Sequence, residues 1–405
     1  MLEKARARLA PHGLHTAELA LTMLLWQAST GVFLLAIVQQ YLPQQLDANA
    51  AFPGYALALY AAARFLTQTP AGWLADRVGP RRTLALGISI AIVTVFLMSQ
   101  VQDATSFLLF SALYGVGSAA VWPAVMASVG DSVERNVRAR VLNTINISQL
   151  VGLGLGTMVG VTLLDVISYQ AAFVACLSFS ALALALAYRG VRVREQAEQE
   201  VQSAPSEKFG RGILSIRVML LAGIALLLSI GATIQAPVVA DYSNEVLHTK
   251  IHVLGIMLLA PAVVAGFLLI RFGHIADKFG RQLPLMLGLG LAAVCYYLLS
   301  QTSNPLLAAN LVVLAGLGYA ISIPAWGAAA LDATEAGGRG LMLGVLGTVQ
   351  GLGGVVGQAV GGLSNAAWGP VAPFKIGAML LMLALLLTAM HLYHQRRNAP
   401  ALASV

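Results

Sequence analysis

The sequence is short of charge. Only 10% of its 405 residues are Asp, Glu, Lys or Arg, whereas 58% are hydrophobic, and the mean hydropathy is +0.78. Soluble domains carry charge on about a quarter of their residues, because a surface in water must be covered by polar groups. So few charges exclude an ordinary soluble domain and indicate a protein that lies within a lipid bilayer.

Cysteines and catalytic motifs are scarce as well. Cys176 and Cys295 each lie inside an apolar run, which favours two buried free thiols over a disulfide between them. The sequence shows no metal-ligand cluster, no nucleophile–base pair and no phosphate-binding loop. We therefore expect no enzyme, no cofactor, no metal site and no direct use of ATP.

Apolar runs are what the sequence has in abundance. The run at 283–300 does not alternate between polar and apolar residues, as a membrane β-strand does. A helix needs about 20 residues to cross about 30 Å of hydrocarbon. The predicted fold class is therefore an all-α membrane protein. We number its twelve predicted transmembrane helices in chain order, at 19–42, 51–71, 83–101, 105–129, 138–163, 170–189, 213–238, 252–272, 283–300, 305–330, 339–364 and 372–393.

Basic residues are distributed unevenly over the segments between these helices. If the N-terminus is cytoplasmic, 21 of the 24 lysines and arginines fall on the cytoplasmic side; the outer loops hold Lys250 and Lys375, and helix 2 holds Arg64. This is the positive-inside pattern. It predicts a protein of the bacterial inner membrane with both termini on the cytoplasmic side. The first 18 residues lack the short apolar core and cleavage site of a signal peptide. The net charge of +7 is thus a topology signal and does not indicate nucleic-acid binding.

The second half of the sequence repeats the first at an offset of 201 residues. GWLADRVG at 72–79 aligns with GHIADKFG at 273–280, and the same offset aligns residues from helix 1 to helix 5 of each half without a gap. Six helices per half give both copies the same orientation, so two bundles related by pseudo-two-fold symmetry are predicted. The predicted domains are a tail at 1–18, a bundle at 19–189, a polar linker at 190–212, a bundle at 213–394 and a tail at 395–405.

A charged loop with a distinctive pattern joins helices 2 and 3. Its glycines permit a tight turn, and its aspartate suits the positive end of a helix dipole. The pattern G-x-L-A-D-R-x-G-x-R-R is formed by Gly72, Leu74, Asp76, Arg77, Gly79, Arg81 and Arg82. A degenerate copy joins helices 8 and 9. With these loops and twelve helices, the whole chain resembles the major facilitator superfamily.

The resemblance implies transport by alternating access and a role for the loops as gates. It places the first loop's aspartate at the start of helix 11, and by symmetry the second loop's at the start of helix 5, when the cytoplasmic side is closed. The residues assigned to these gates are Gly72, Asp76, Arg77, Gly79, Arg81, Arg138, Gly273, Asp277, Lys278, Gly280, Arg281 and Arg339.

Glycines recur at every fourth position of helices 5 and 11. Small residues at this spacing let helices pack closely. On helix 5 the stretch also resembles the antiporter motif of efflux members, except that Thr157 replaces its proline, and the sequence leaves both interpretations open. The glycines are Gly152, Gly156 and Gly160, with their counterparts Gly353, Gly357 and Gly361.

The resemblance implies that helices 1, 4, 7 and 10 line the translocation path and that helices 2, 5, 8 and 11 lie between the bundles. Pro123 and Pro324 are predicted to kink helices 4 and 10. The candidates for the substrate path are Gln27, Thr30, Arg64, Tyr114, Ser118, Trp122, Asn143, Asn146, Gln149, Gln235, Tyr319, Ser322, Trp326 and Gln350.

Arg64 stands out among these candidates. An arginine buried inside a span costs about 2.5–3.5 kcal/mol on insertion scales, so it is a functional candidate by default. It can bind an anionic substrate group, bond a glutamine of helix 5 or 11, or extend to the cytoplasmic interface. Arg64 aligns with Ala265, and Ser118 with Tyr319. The predicted site is therefore asymmetric and weighted toward the first half.

Acidic residues and histidines are missing from the middle of every predicted span. Proton coupling usually uses such a group, so we expect a carboxylate near a helix end to carry the proton. Asp241, near the periplasmic end of helix 7, is the predicted proton-coupling residue.

We predict a monomeric secondary transporter that exports a small amphipathic or apolar compound in exchange for protons, because the path candidates are mostly neutral. Its expected partners are a small-molecule substrate, protons and the bilayer. One alternative is a lipid or glycolipid flippase of the same fold, although Gln27 and Thr30 stand where that branch has acidic groups. The others are uptake of a small metabolite and a non-transporting sensor.

Overall fold

The computed structural model describes residues 11–132, 138–190, 216–250, 252–253, 255–257, 282–332 and 339–402. These residues form helices joined by short turns, and no strand occurs among them. The chain divides into two compact units, Met1–Gln202 and Ser203–Val405, which are described separately. The predicted linker lies at their boundary, and its residues after Gly190 are outside the described set.

The first unit contains the six helices expected of the first half. Helix 1 is continuous but changes its winding, because a π-helical stretch at Val32–Tyr41 separates Pro11–Gly31 from Leu42–Gln45. The other five are Phe52–Val78, Pro80–Met98, helix 4 in two pieces at Ala104–Ala119 and Val121–Ser132, Arg138–Val166, and Tyr169–Gly190.

In the second unit, five of the six expected helices fall within the described residues. Only 252–253 and 255–257 of predicted helix 8 are described, so that prediction lies almost wholly outside the described residues. Helix 7 runs over Ile216–Thr233 and continues as short turns at Ala236–Val238, Val239–Asp241 and Tyr242–Val246. Helices 9 to 12 are Gln282–Leu299, Pro305–Asp332, Arg339–Trp368 and Ala372–Leu402.

Nine helices of the described part are long and apolar enough to cross a membrane, namely helices 1, 3, 4, 5, 6, 7, 9, 10 and 12. Helix 12 continues to Leu402, through most of the segment predicted as a tail. Both cysteines are free and buried, as the sequence favoured.

Helix 2 ends seven residues later than predicted. The prediction ended it at residue 71, directly after Pro70, but the helix continues to Val78 with Pro70 inside it. Membrane helices tolerate an internal proline because neighbouring groups can satisfy the freed carbonyl. The helix stops at Gly79, whose φ of 92° suits glycine alone. Helix 3 follows at once, with Pro80 in its first turn.

Prolines interrupt helices 4 and 7. Helix 4 breaks at Ala120, just before Pro123, and the regular part of helix 7 stops at Thr233, four residues before Pro237. A proline lacks an N–H group, and its ring clashes with the carbonyl four residues earlier. Helix 10, in contrast, is uninterrupted through Pro324. Of the two predicted kinks, only the one near Pro123 coincides with a break in its helix.

Glycines of helix 5 lie against the backbone of helix 1. A Cβ atom added at Gly152 or Gly156 would collide with the carbonyl of Leu24 or Ala28, respectively. The Thr157 hydroxyl, at the position where a proline was expected, donates to the Gly31 carbonyl of helix 1 (3.5 Å). Close helix packing thus accounts for these glycines, and Thr157 contributes to the same contact.

Candidate transport and proton sites

The charged loop of the first unit is a one-residue turn between two helices. Asp76 and Arg77 lie in the last turn of helix 2 and are exposed. The Arg77 guanidinium lies 4.3 Å from the centre of the Trp73 ring, a cation–π contact that steadies this helix end. A Cβ atom added at Gly72 would lie 3.9 Å from Pro123 Cβ on helix 4, an ordinary contact distance.

The Arg81 side chain packs against another helix of its own unit. Its guanidinium lies 5.2 Å from the centre of the Tyr188 ring on helix 6. Its buried Nε atom has no hydrogen-bond partner among the described residues. Asp76 and Arg81 therefore differ: the aspartate is presented on the surface, whereas the arginine is held by the unit's own helices.

Most of the second gate lies outside the described residues, namely Gly273, Asp277, Lys278, Gly280 and Arg281. Arg138 and Arg339 are the first residues of helices 5 and 11, as predicted, but their side chains are not described. The assignment of gate roles to these residues stays a prediction.

A polar network connects helices 1 and 5 in the first unit. Gln27 Nε2 donates to Gln149 Oε1 (3.4 Å), and Gln149 Nε2 donates to Asn146 Oδ1 (3.3 Å). Asn146 is exposed and the two glutamines are half-buried, so the network reaches a surface where it can meet a polar ligand. Asn143, another path candidate on helix 5, has a side chain outside the described set.

Arg64 is exposed, and not buried as the sequence analysis assumed. Its Nη1 donates to the Tyr60 hydroxyl one helical turn earlier (3.3 Å). Because helix 2 is longer than predicted, Arg64 lies near its middle, and the predicted two turns from its end become about four.

Two path candidates of the first unit belong to a buried aromatic cluster. Tyr114, Trp26, Phe33 and Tyr60 pack together, with the Phe33 and Tyr114 rings 4.1 Å apart. The Thr30 hydroxyl donates to the Trp26 carbonyl (3.1 Å) and lies 3.5 Å from the Tyr114 hydroxyl. The expectation that Thr30 and Tyr114 line an open path does not hold in this structure, because their unit packs around them.

Three further candidates are also buried. Ser118 and Ser322 donate to carbonyls of their own helices, those of Gly115 and Gly318 (3.0 and 2.8 Å). Trp326 donates from Nε1 to the Leu221 carbonyl on helix 7 (3.2 Å). The indole is thus buried and bonded to a neighbouring helix of its own unit, and its assignment to the substrate path stays a prediction. Trp122 is half-buried.

In the second unit, Gln235 and Tyr319 lie near the interruption of helix 7. Gln235 Nε2 donates to the Ala232 carbonyl (3.0 Å), whereas its Oε1 has no partner among the described residues. The buried hydroxyls of Tyr319 and Tyr296 also lack well-formed hydrogen bonds there. Gln350 is half-buried, and its backbone carbonyl accepts a hydrogen bond from the Ser229 hydroxyl (2.6 Å).

Asp241 has a defined partner on another helix. Asn365 Nδ2, on helix 11, donates to Asp241 Oδ2 (2.6 Å), and the Asn365 side chain is only 4% exposed. Asp241 follows the Pro237 break, and Glu245 lies one turn further along. The site is thus a half-buried carboxylate at an irregular part of helix 7, held by a neutral amide.

The sequence model of the Major Facilitator Superfamily matches residues 19–234 and 221–404. The chain belongs to this superfamily. Members of the superfamily are membrane transporters and not enzymes, so this chain is an integral membrane transporter. The prediction of family, fold class and non-enzymatic activity is confirmed.

This superfamily member is also similar to individual relatives and to solved structures. It is 24% identical to the proton-coupled antiporter flippase LtaA of Staphylococcus saprophyticus over 347 residues, 84% of this chain and 85% of that protein. LtaA of Staphylococcus aureus is 22% identical over 350 residues, with the same shares. A mutant of the nucleoside transporter NupG has a TM-score of 0.76 at 13% identity, covering 93% of this chain and 99% of that one.

A bacterial homologue of the lysosomal transporter Spinster, in an inward-facing state, has a TM-score of 0.71 at 15% identity and covers 94% of this chain and 95% of that one. At such identities these two structures establish the fold of this superfamily member and nothing about its substrate.

Three residues that the structure brings to these sites were not predicted from the sequence: Tyr60, Tyr296 and Asn365. Each lies in an apolar stretch without a neighbouring motif. Tyr60 and Arg64 lie one turn apart on helix 2, so their spacing is a signal that could have found this contact. Asn365 gives no such signal, because its partner Asp241 is on another helix and only the packing of the helices brings the two together.

Proposed function

We propose that this transporter is a proton-coupled antiporter that moves an amphipathic compound across the membrane by alternating access. The observation that carries the coupling is the Asp241–Asn365 contact. A carboxylate within a span is expensive unless it is paired and functional. Asp241 is paired with an amide and not with a cation, so it can be neutralised without leaving a buried positive charge behind.

The contact links the protonation of Asp241 to the position of helix 7. Asn365 donates to an oxygen of Asp241, and hydrogen bonds of this type are stronger when the acceptor is ionised. Protonation therefore weakens the attachment of helix 7 to helix 11. The break at Pro237 lets the short turns beyond it move without bending the regular part of the helix. This sequence of events is a physical route from proton binding to a conformational change.

The relatives favour an amphipathic substrate. They also support a second candidate function, the flipping of a lipid between the two leaflets. LtaA, at 22–24% identity, is a proton-coupled antiporter flippase. The polar network of Gln27, Gln149 and Asn146 suits a ligand with hydrogen-bonding groups. We propose further that the protein is a monomer of the bacterial inner membrane with both termini cytoplasmic; reporter fusions to each terminus test the orientation.

Reconstituted vesicles with an imposed pH gradient test the coupling. Wild-type protein is expected to move substrate uphill and to stop when the gradient is dissipated. Asp241→Asn keeps the shape of the side chain but removes its charge, so coupled flux is expected to fall more than about tenfold, in line with the loss of a general proton carrier. Asp47→Asn is the matched control, since Asp47 is exposed in a loop.

Two outcomes contradict the proposal: uphill flux that persists without the gradient, and wild-type coupled flux in the Asp241→Asn protein. The substrate panel contains fluorescent small amphiphiles and fluorescent glycolipids in the same vesicles, so that export, uptake and lipid flipping give different signals. No flux of any compound in either direction favours the sensor alternative.

The gate assignment has its own test. Asp76→Asn removes a surface charge at the end of helix 2 and is expected to reduce transport more than about tenfold, if the carboxylate closes the gate on a helix N-terminus. Because Asp76 is exposed, the variant is expected to fold and to reach the membrane in normal amount. Normal transport by this variant contradicts the gate role.

A further inference from the structure

Arg64 occupies an unusual position for a charged residue of a membrane helix. It lies 12 residues after Phe52 and 14 residues before Val78, which is about 18 Å and about 21 Å of helix. An arginine side chain extends only about 7 Å, roughly one helical turn. Arg64 therefore does not reach the level of either end of helix 2, although its side chain is exposed.

A rigid neighbour fixes the direction of the guanidinium. Arg64 Nη1 donates to the Tyr60 hydroxyl (3.3 Å). The Tyr60 ring is 5% exposed and packs against Phe33 and Tyr114, with ring centres 5.8 and 5.9 Å away. Phe33 and Tyr114 are fully buried. The aromatic cluster thus holds Tyr60 in place, and Tyr60 orients Arg64.

Most of the hydrogen-bonding capacity of Arg64 is unused within the described part of the chain. A guanidinium has five N–H donors in a fork that matches a carboxylate or a phosphate. The Tyr60 hydroxyl takes one of them. No other hydrogen bond and no ion pair of Arg64 occurs among the described residues, and the side chain is exposed. An oriented, exposed guanidinium without an acid is suited to an anion from outside the chain.

The bilayer determines what the exposed side of Arg64 can face. Exposure to hydrocarbon costs at least about 2.5–3.5 kcal/mol, and arginines in spans face a bundle interior or a water-filled cavity. Gln68, one turn further along the same side of helix 2, is also exposed. Two adjacent polar residues on one side of the helix indicate that this side borders the aqueous path and not the lipid.

We propose that Arg64, oriented by Tyr60, binds an anionic group of the substrate. The compound that this transporter moves is accordingly an anionic amphiphile, with a phosphate or carboxylate attached to an apolar part. This inference rests on the proposed function and narrows it from amphipathic compounds in general to those with a negative group.

A pair of lipids that differ only in the anionic group tests the inference. Fluorescent phosphatidic acid and fluorescent diacylglycerol with the same chains are titrated into purified full-length protein in nanodiscs of neutral lipid. Wild-type protein is expected to bind phosphatidic acid at least about tenfold more tightly, as a charge-assisted hydrogen bond allows. Arg64→Gln is expected to abolish this preference and to leave diacylglycerol binding unchanged.

Three further variants separate binding from folding. Arg64→Lys keeps the charge without the fork, so an intermediate preference is expected. Tyr60→Phe keeps the ring in its cluster but frees the guanidinium, and a preference reduced about threefold is expected. Lys375→Gln removes an exposed positive charge at the start of helix 12, and it is expected to bind both probes like the wild type.

The inference is overturned if wild-type protein shows no preference for phosphatidic acid, or if Arg64→Gln keeps the wild-type preference. Equal loss of both probes in Arg64→Gln, at an unchanged melting temperature, also overturns it, because the arginine then has a structural role. Proton-driven flux of the neutral probe in vesicles reports on the proposed function separately: if it continues while the anionic preference is absent, only this inference fails.

Discussion

In both units a pair of glycines brings two neighbouring helices together. A Cβ atom on Gly117 of helix 4 would lie 2.7 Å from the Gly87 carbonyl oxygen of helix 3, and one on Gly318 of helix 10 would lie 2.6 Å from the Gly288 carbonyl oxygen of helix 9. These four residues are related by the offset of 201. The two units therefore share these close backbone contacts.

The agreement extends to loops whose side chains differ. Asp47 and His248 have left-handed backbones, with φ of 47° and 48°. Asp103 and Asn304 each accept backbone N–H groups at the start of the next helix. Both pairs follow the same offset, so the repeat preserves backbone geometry where the side-chain chemistry has changed.

The interiors, in contrast, differ in how their polar groups are paired. In the first unit, the Tyr114 and Thr30 hydroxyls lie 3.5 Å apart inside the aromatic cluster. In the second unit, Tyr296 and Tyr319 have buried hydroxyls without well-formed partners among the described residues. A repeated fold can thus surround its buried tyrosines differently: the Tyr114 hydroxyl of the first unit meets Thr30, whereas the Tyr296 and Tyr319 hydroxyls of the second lack well-formed partners among the described residues.

The helices that carry these interiors also differ. Helix 1 continues over Ala36, whereas Pro237 at the equivalent position interrupts helix 7. Gln235 and Asp241 therefore lie in a broken helix, whereas the equivalent positions of the first unit lie in the continuous π-helical stretch Val32–Tyr41. Proton coupling is thus proposed for the second unit and anion binding for the first.

The largest effect is expected from filling the helix 1–helix 5 contact. Gly156→Ala places a methyl group against the Ala28 backbone, and overpacking of this kind costs about 3 kcal/mol. At the equivalent Gly357 the nearest atom is the movable Thr233 hydroxyl, so we expect a smaller loss there. Thermal unfolding in detergent measures both. Gly154→Ala, with nothing within 4 Å of the added atom, is the control; equal melting of Gly154→Ala and Gly156→Ala contradicts the packing.

A smaller effect, of opposite sign in the two units, is expected from removing tyrosine hydroxyls. Tyr319→Phe deletes a buried hydroxyl without a well-formed partner and is expected to stabilise the protein by about 1 kcal/mol. Tyr114→Phe removes the contact with Thr30 and is expected to destabilise it by about 0.5–1 kcal/mol. Melting temperatures in detergent compare them. If Tyr319→Phe lowers the melting temperature more than Tyr114→Phe does, the Tyr319 hydroxyl makes a stabilising hydrogen bond and the prediction is wrong.

The smallest effect is expected from acid at the two helix caps. The Ser106 N–H donates to Asp103 (2.7 Å), and backbone bonds to this exposed carboxylate lower its pKa below the ordinary value. A lowered pKa in the folded state means that the contribution of the cap to stability is complete at neutral pH. It is lost as the pH falls through that lowered value. The Asn304 cap does not titrate.

Hydrogen exchange measures this difference. After correction for the intrinsic pH dependence, protection at Ser106 is expected to fall between pH 7 and pH 3, while protection at Leu306 stays constant. Asp103→Asn is expected to make the first cap as insensitive as the second. Equal loss of protection at both caps indicates general acid unfolding and contradicts the comparison.

Much of the helical framework could be predicted, because apolar runs, charge asymmetry and the repeat are properties of the chain alone. The end of helix 2 was predicted wrongly, since Pro70 is a usual stop signal and only the surrounding helices make it tolerable. The kink at Pro324 was expected by analogy with Pro123, but helix 10 is uninterrupted there. Local signals therefore located helices better than they located helix ends.

The sequence by itself determined the membrane class, the family, the two halves and the glycine contacts between adjacent helices, because each depends on composition or on a repeated spacing. Only the tertiary structure decided which polar groups meet. The contact of Asp241 with Asn365, and the packing of Tyr60 against Phe33 and Tyr114, depend on the rotation and sliding of helices against one another. A shift of one residue turns a helical side chain by about 100°, so such partners do not follow from spacing along the chain.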